Sequence, residues 1–167
     1  TKLDERYDPE GLTYDAANNR LLVICKEFAG KGYEGMKAIY AFDLGSRQLE
    51  EDPVITIDLD AFTDALASAD HPVNTFVRRA IGGAMDMSGF LPSGLALHPQ
   101  TRHLYILSSK RKAMLVIDLN GHLLAAWTLD PDLFPQPEGL AFLPDGTLFV
   151  SSEGRGGRPR LYRFDPL

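Results

Sequence analysis

The chain has 167 residues, of which 44% are hydrophobic and 24% are charged, and its formal net charge is −6. This composition is ordinary for a globular domain and excludes a disordered chain. The negative charge argues against nucleic acid as a partner, because binding to phosphates requires clustered Lys and Arg. The sequence contains no run of about 18 apolar residues, the length that a membrane-spanning helix requires.

The first predicted strand is opened by Pro9-Glu10-Gly11-Leu12, and a turn joins it to a second apolar run that ends at Cys25. Cys behaves as a small hydrophobic residue, so we expect Cys25 to be a buried structural thiol. Two further strand-like runs, 38–44 and 54–58, follow, and Gly45-Ser46 starts the turn after the first of them. This segment therefore predicts four short strands.

Residues 59–91 interrupt the pattern as an insertion. The run 61–67 predicts a short helix capped by Asp60, whose side chain can accept backbone N–H groups of the first turn. The glycine-rich stretch 82–89 predicts a surface loop. Because long loops often carry function, the insertion is one candidate for contacting a ligand or a partner.

The opening pattern returns twice after the insertion, as Pro92-Ser93-Gly94-Leu95 and as Pro137-Glu138-Gly139-Leu140. Asn120-Gly121 lies between two apolar runs of the second segment, which is a strong hairpin signal because both residues accept positive φ. Asp145-Gly146 marks a turn in the third segment, which ends after its third strand, 160–165.

Short antiparallel strands repeated at a period of about 45 residues are typical of propeller blades, so the sequence predicts an all-β fold, a β-propeller. The predicted blades cover residues 8–58, 92–129 and 137–165, and the last one is incomplete. Propellers have about four to eight blades. We therefore expect residues 1–167 to be the C-terminal part of a single propeller domain with five or six blades. Dimerisation of two half-rings is the alternative.

Blade topology places two sets of polar residues at one end of the propeller axis, the mouth of the central channel. The first set lies between Pro and Gly at the start of the inner strands and comprises Glu10, Ser93 and Glu138. The second set follows the second strands and comprises Lys26-Glu27, Ser108-Ser109-Lys110 and Ser152-Glu153, and Arg155 is a further residue of the mouth.

Carboxylates that converge around a narrow axis repel one another unless positive charge lies between them. A hard cation such as Ca²⁺, which binds oxygen ligands, would satisfy this arrangement. The candidate metal ligands are Glu10, Glu138, Glu27 and Glu153. Three alternatives stay open: Lys26 or Arg155 neutralises the glutamates, the glutamates cap the inner strands, or they act in catalysis. The glycine-rich stretch 154–158 is a further candidate, for binding an anion.

The opening 9–15, the strand end Leu22-Val23-Ile24-Cys25-Lys26-Glu27, the unit 92–99 and the ending Leu161-Tyr162-Arg163-Phe164 together resemble the SdiA-regulated domain family. The resemblance is weakest over 60–90. It implies a bacterial propeller of unassigned function that is periplasmic or anchored outside the cytoplasmic membrane. It also implies that about two blades and any anchoring segment lie upstream of Thr1.

Three functional hypotheses follow. The first is an extracytoplasmic binding or scaffold propeller with a calcium ion near the channel mouth. The second is a calcium-dependent hydrolase of the lactonase or esterase type, in which the metal polarises a carbonyl or activates water and a carboxylate acts as base. The third is a protein-interaction platform that uses the insertion or the opposite face. The partner is thus an unidentified protein or small molecule.

Overall fold

The computed structural model describes residues 3–67, 87 and 89–166, which form three antiparallel sheets and one helix. The sheets follow one another along the chain, and each corresponds to one of the three sequence repeats. The prediction of an all-β chain is thereby confirmed. The described residues include no helix with the length and apolar character that crossing a membrane requires.

The first sheet contains five strands, one more than the sequence indicated. They are β1 (Pro9–Asp15), β2 (Arg20–Cys25), β3 (Met36–Asp43), β4 (Gln48–Leu49) and β5 (Ile55–Asp58). The additional strand is β4, which pairs with the end of β3, whereas β5 pairs with its beginning. The extra strand forms because the Asp43 carboxylate accepts the Ser46 backbone N–H at 2.6 Å, which tightens the turn after β3 and returns the chain.

The second and third sheets keep the predicted order. The second contains β6 (Gly94–Leu97), β7 (Leu104–Ser108), β8 (Ala113–Ile117) and β9 (Leu123–Thr128), and the third contains β10 (Gln136–Phe142), β11 (Leu148–Glu153) and β12 (Arg160–Phe164). The predicted turn glycines Gly121 and Gly146 have φ values of 87° and 92°. This left-handed conformation is the one for which glycine is favoured.

The insertion begins with helix α1 (Leu59–Ala67), and the predicted cap was wrong by two residues. Asp58, not Asp60, caps the helix, because its Oδ1 accepts the N–H groups of Asp60 at 3.0 Å and Ala61 at 2.9 Å. The predicted loop over 82–89 lies outside the described residues, except for Met87 and Gly89.

The main hydrophobic core lies between the first two sheets. It joins side chains such as Ile24 and Ile39 of the first sheet to Leu115 of the second, all fully buried. Helix α1 covers this core with Leu59, Phe62 and Leu66, which share one helical face. A smaller core lies between the second and third sheets, where Tyr105 packs edge-on against Phe142.

The inner strands of successive sheets lie side by side, because β1 contacts β6 and β6 contacts β10. Their shared Gly permits this approach. A Cβ atom on Gly11 would lie 2.7 Å from the Leu95 backbone nitrogen, and one on Gly94 would lie 2.8 Å from the Glu138 carbonyl oxygen. The three inner strands therefore form one wall, from which the sheets extend outward.

Candidate functional site

The channel mouth is defined here as the end of the molecule where β1, β6 and β10 begin and β2, β7 and β11 end. The two predicted sets of polar residues meet there. Lys26 Nζ lies 2.9 Å from Glu10 Oε1, and the Ser109 backbone N–H donates to Ser93 Oγ at 3.0 Å. In the third sheet Gln136 donates to Glu153 Oε2 at 3.1 Å.

Glu10 and Glu138 occupy equivalent positions in their sheets. The β1–β2 register shifts between Pro9 and Gly11, and the β10–β11 register shifts between Pro137 and Gly139. Each glutamate is therefore the extra residue of a β-bulge, and bulges are frequent next to functional sites because they redirect a side chain. The sequence indicated this local geometry through the Pro and Gly that flank each glutamate.

The two bulged glutamates differ in their partners. Glu10 pairs with Lys26, which also lies 3.2 Å from Asp8 Oδ2, and these carboxylates raise the pKa of Lys26. Glu138 is half-buried, and within the described part of the chain its carboxylate makes no hydrogen bond or ion pair. The alternative of internal neutralisation thus holds for Glu10, while Glu138 is left open to a ligand.

Ser93 is a connector between sheets. It is only 6% exposed, and its hydroxyl donates to the Pro137 carbonyl oxygen at 2.9 Å while accepting the Ser109 N–H. The hydroxyl thus fixes the second sheet to the bulge that carries Glu138.

Replacing Ser93 by Ala should therefore destabilise the fold by about 1–2 kcal/mol, because the buried Pro137 carbonyl and Ser109 N–H both lose a partner. Urea unfolding would measure this. Ser109→Ala is the matched control, since the Ser109 side chain makes no hydrogen bond in the described residues. Equal losses in both variants would contradict a connecting role for Ser93.

Two lysines at the mouth were not identified from the sequence. Lys37 Nζ donates to the Lys26 carbonyl oxygen, and Lys112 Nζ donates to the Ser109 carbonyl oxygen. Both lysines are half-buried, and burial is the main cause that lowers the pKa of each. The overlooked signal is Lys-Ala at the start of the third strand in two repeats, 37–38 and 112–113.

The remaining predicted residues are spread around the mouth. Glu27 is exposed and acts on Lys37 only through its charge. Arg155 donates from Nε to Gln136 Oε1 at 3.2 Å, so that Gln136 links it to Glu153. Among the described residues no group of three or more His, Cys, Asp or Glu side chains is arranged to hold a metal ion.

Cys25 takes the place at the end of β2 that Ser108 and Ser152 take at the ends of the other second strands. It is fully buried, and burial raises the pKa of its thiol to about 11. The thiol is therefore protonated at neutral pH and unreactive. The prediction that this thiol is buried is confirmed.

The sequence profile of the SdiA-regulated family matches residues 26–164, and this match covers most of the chain. The chain belongs to the SdiA-regulated family. The resemblance inferred from the blade openings is thus confirmed. No curated protein matches this member of the family.

Solved structures show the fold of this SdiA-regulated chain. A luciferin-regenerating enzyme aligns with a TM-score of 0.56 and 15% identity, over 95% of this chain and 45% of that one. The nidogen/laminin complex aligns with a TM-score of 0.54 and 14% identity, over 96% of this chain and 45% of that one. A protein of unknown function from Bacteroides caccae aligns with a TM-score of 0.52 and 11% identity, over 98% of this chain and 48% of that one. The chain therefore spans about half the length of these structures, and the shared fold is β-propeller-like.

Proposed function

We propose that this chain contributes a ligand-binding channel mouth to a propeller, with Glu138 as the main contact and calcium as the first candidate ligand. The observation that carries this proposal is the half-buried carboxylate of Glu138, which lies in a β-bulge at the mouth and has no hydrogen-bond or ion-pair partner among the described residues. Desolvating an ionised carboxylate is costly unless something compensates its charge. A bound cation would supply that compensation.

Calcium suits this position because it accepts six to eight oxygen ligands, including carboxylates, backbone carbonyls and water. Glu138 would provide the carboxylate. Backbone carbonyls of the bulge and water would provide neutral oxygens, so the ion needs no cluster of acidic side chains.

Thermal unfolding of the protein in calcium, in magnesium and in a chelator tests this proposal. At a hundred times its dissociation constant, calcium should stabilise the fold by about 2.7 kcal/mol, which raises the melting temperature by about 5–10 °C. Glu138→Gln should abolish the rise, whereas Glu10→Gln should keep it because Lys26 already neutralises Glu10. The absence of any shift with either metal would remove calcium from the proposal.

Hydrolysis is a second candidate, favoured by the presence of Lys112 near Glu138. The charge of Glu138 acts on this lysine, whose pKa is lowered mainly by burial. A carboxylate base beside a lysine of reduced pKa can activate water and stabilise a developing oxyanion. A panel of esters and lactones tests it: turnover should disappear in Glu138→Gln and persist in Glu50→Gln, since Glu50 lies near Arg20 instead.

A further inference from the structure

A cavity of about 350 Å³ lies between the second and third sheets. Aromatic rings form much of its wall. Tyr105 and Trp127 of the second sheet lie nearly parallel, with 6.4 Å between the ring centroids, and Tyr105 meets Phe142 of the third sheet edge-on at 4.9 Å. Small-molecule sites in proteins are concave, mostly apolar and at least about 300 Å³ in volume. The cavity therefore has the size and the lining of a site for a small aromatic molecule.

The imidazole of His98 is a polar group of this wall, and its hydrogen bonds define which ring nitrogen donates. His98 follows β6 and is only 9% exposed. Its Nδ1 accepts the backbone N–H groups of Gln100 and Thr101, both at 3.2 Å. In a neutral imidazole the nitrogen that accepts carries no hydrogen, so the hydrogen of the His98 ring lies on Nε2.

The Nε2–H group of His98 is a neutral donor that is open to the cavity. Burial lowers the pKa of His98, and the charge of His103 lowers it further, so the ring is uncharged near pH 7. Nε2 lies 3.4 Å from the position that a Cβ atom would take on Gly146, another residue of the wall. Within the described residues Nε2 makes no hydrogen bond. A buried donor without a partner is unfavourable, and a ligand with an acceptor atom would satisfy it.

The charges of the wall favour a neutral ligand over an anion. Among the described residues no Lys or Arg lines the cavity, whereas two exposed aspartates, Asp130 and Asp165, do. Asp165 lies 2.8 Å from Arg163, but Asp130 has no ion pair in the described part of the chain. A carboxylate placed between these aromatic rings would lose its hydration without gaining a cation. A neutral acceptor, such as a carbonyl oxygen, avoids that cost.

We propose that this cavity binds a neutral aromatic carbonyl compound, whose oxygen accepts the Nε2–H of His98 while its ring packs against Tyr105 and Phe142. An apolar side chain from a second copy of the chain could fill the same space, but it would leave the His98 donor without a partner. Glu138 does not line the cavity, so the calcium experiment and this one can fail independently.

Acetophenone, cumene and benzoate are suitable probes, because they share a phenyl ring and differ in the group attached to it. That group is a carbonyl in acetophenone, a hydrocarbon of nearly the same shape in cumene and a carboxylate in benzoate. Trp127 is the only tryptophan of the chain, so a nitrogen–proton NMR spectrum contains one indole signal that reports on the cavity. Acetophenone and cumene should shift this signal in a saturable manner, and benzoate should bind about tenfold more weakly than acetophenone or worse.

His98→Asn removes the Nε2 donor, and its side-chain oxygen can still accept the N–H groups of the turn. The ratio of the acetophenone affinity to the cumene affinity should fall about fivefold, the net contribution of one hydrogen bond. Tyr105→Phe is the matched control, because it keeps the ring and removes a hydroxyl that makes no hydrogen bond among the described residues. An unchanged ratio in His98→Asn, or an equal fall in Tyr105→Phe, would overturn the assignment to His98.

Two further variants test the cavity itself. Leu148→Phe adds volume inside it and should weaken both probes, whereas Leu124→Phe, at an exposed position outside it, should weaken neither. The comparison of acetophenone with benzoate needs no variant, so it tests the proposal even if His98→Asn fails to fold. If neither acetophenone nor cumene shifts the Trp127 signal, or if sedimentation shows a dimer to which neither binds, the inference is overturned.

Discussion

Asp15→Ala should be among the most destabilising single substitutions in this protein, with a loss of about 3 kcal/mol and a fall in melting temperature of about 6–12 °C. The Asp15 side chain is fully buried at the end of β1 opposite the channel mouth. It accepts hydrogen bonds from Asn18 at 2.7 Å, Arg20 at 3.0 Å and Arg102 at 2.8 Å. Because Arg102 lies in the turn between β6 and β7 of the second sheet, this carboxylate joins two sheets. Its removal leaves Arg102 without its anion and, in the described part of the chain, leaves Arg20 with only Glu50, at 3.9 Å.

Thermal unfolding of Asp15→Ala and Asp15→Asn at neutral pH would measure this loss, and the asparagine should cost less because it keeps the shape and one acceptor. Asp132→Ala is the matched control, since Asp132 is exposed and its side chain makes no hydrogen bond in the described residues. A melting temperature for Asp15→Ala within 2 °C of the control would show that the buried ion pairs contribute nothing net.

The same carboxylate makes stability depend on pH. Burial alone would raise the pKa of Asp15, but hydrogen bonds from Asn18, Arg102 and Arg20 outweigh burial and lower it from 3.8 to about 2. A carboxyl group with a lower pKa in the folded state stabilises the fold above its unfolded pKa. This contribution, roughly 2 kcal/mol, should be lost as the pH falls from about 4 to about 2. Asp15→Asn should flatten that part of the profile, while Asp118, whose pKa is also about 2, should preserve part of the slope.

The sheet structure could be predicted from the sequence because the repeat carries its own turn chemistry. The Pro–polar–Gly–Leu opening marks each inner strand, and Asn120-Gly121 fixes one hairpin through residues that accept positive φ. The errors were local. Strand β4 has two residues, too few to show alternation, and it follows a turn in which Asp43 accepts a hydrogen bond from the Ser46 N–H. The helix cap was misassigned because Asp58 and Asp60 are chemically identical and only backbone geometry distinguishes them.

The candidate site was predictable in position but not in its charge balance. Chain topology alone places Glu10, Ser93 and Glu138 at one end. The partners of these side chains follow from no sequence rule: Glu10 pairs with Lys26 of its own sheet, whereas the Ser93 hydroxyl donates to the carbonyl of Pro137 in the next sheet. Lys112 was overlooked because a lysine at a loop tip suggests solvent exposure, whereas the structure half-buries it against a backbone carbonyl.

Gly94→Ala should also be strongly destabilising, by about 1–3 kcal/mol, because it overpacks the contact between two inner strands. The added Cβ would lie 2.8 Å from the Glu138 carbonyl oxygen and 3.4 Å from its carbonyl carbon. These are backbone atoms of a β-bulge, so no side chain can rotate to make room and the third sheet has to shift. Gly45→Ala is the matched control, since its Cβ would meet only a side-chain oxygen of Asp43 at 3.3 Å. Urea unfolding should separate the two variants by at least 1 kcal/mol.

The Gly94 substitution connects the packing of the inner strands to the site, because the atom that must move belongs to Glu138. If Glu138 binds the ligand, Gly94→Ala should weaken the stabilisation by calcium in proportion to the displacement of the bulge. Gly11→Ala overpacks the other junction, where its Cβ would lie 2.7 Å from the Leu95 nitrogen, and should spare the calcium response. Equal loss of the calcium response in both variants would instead indicate that the three sheets respond as one unit, with the glycines setting the spacing of the whole wall.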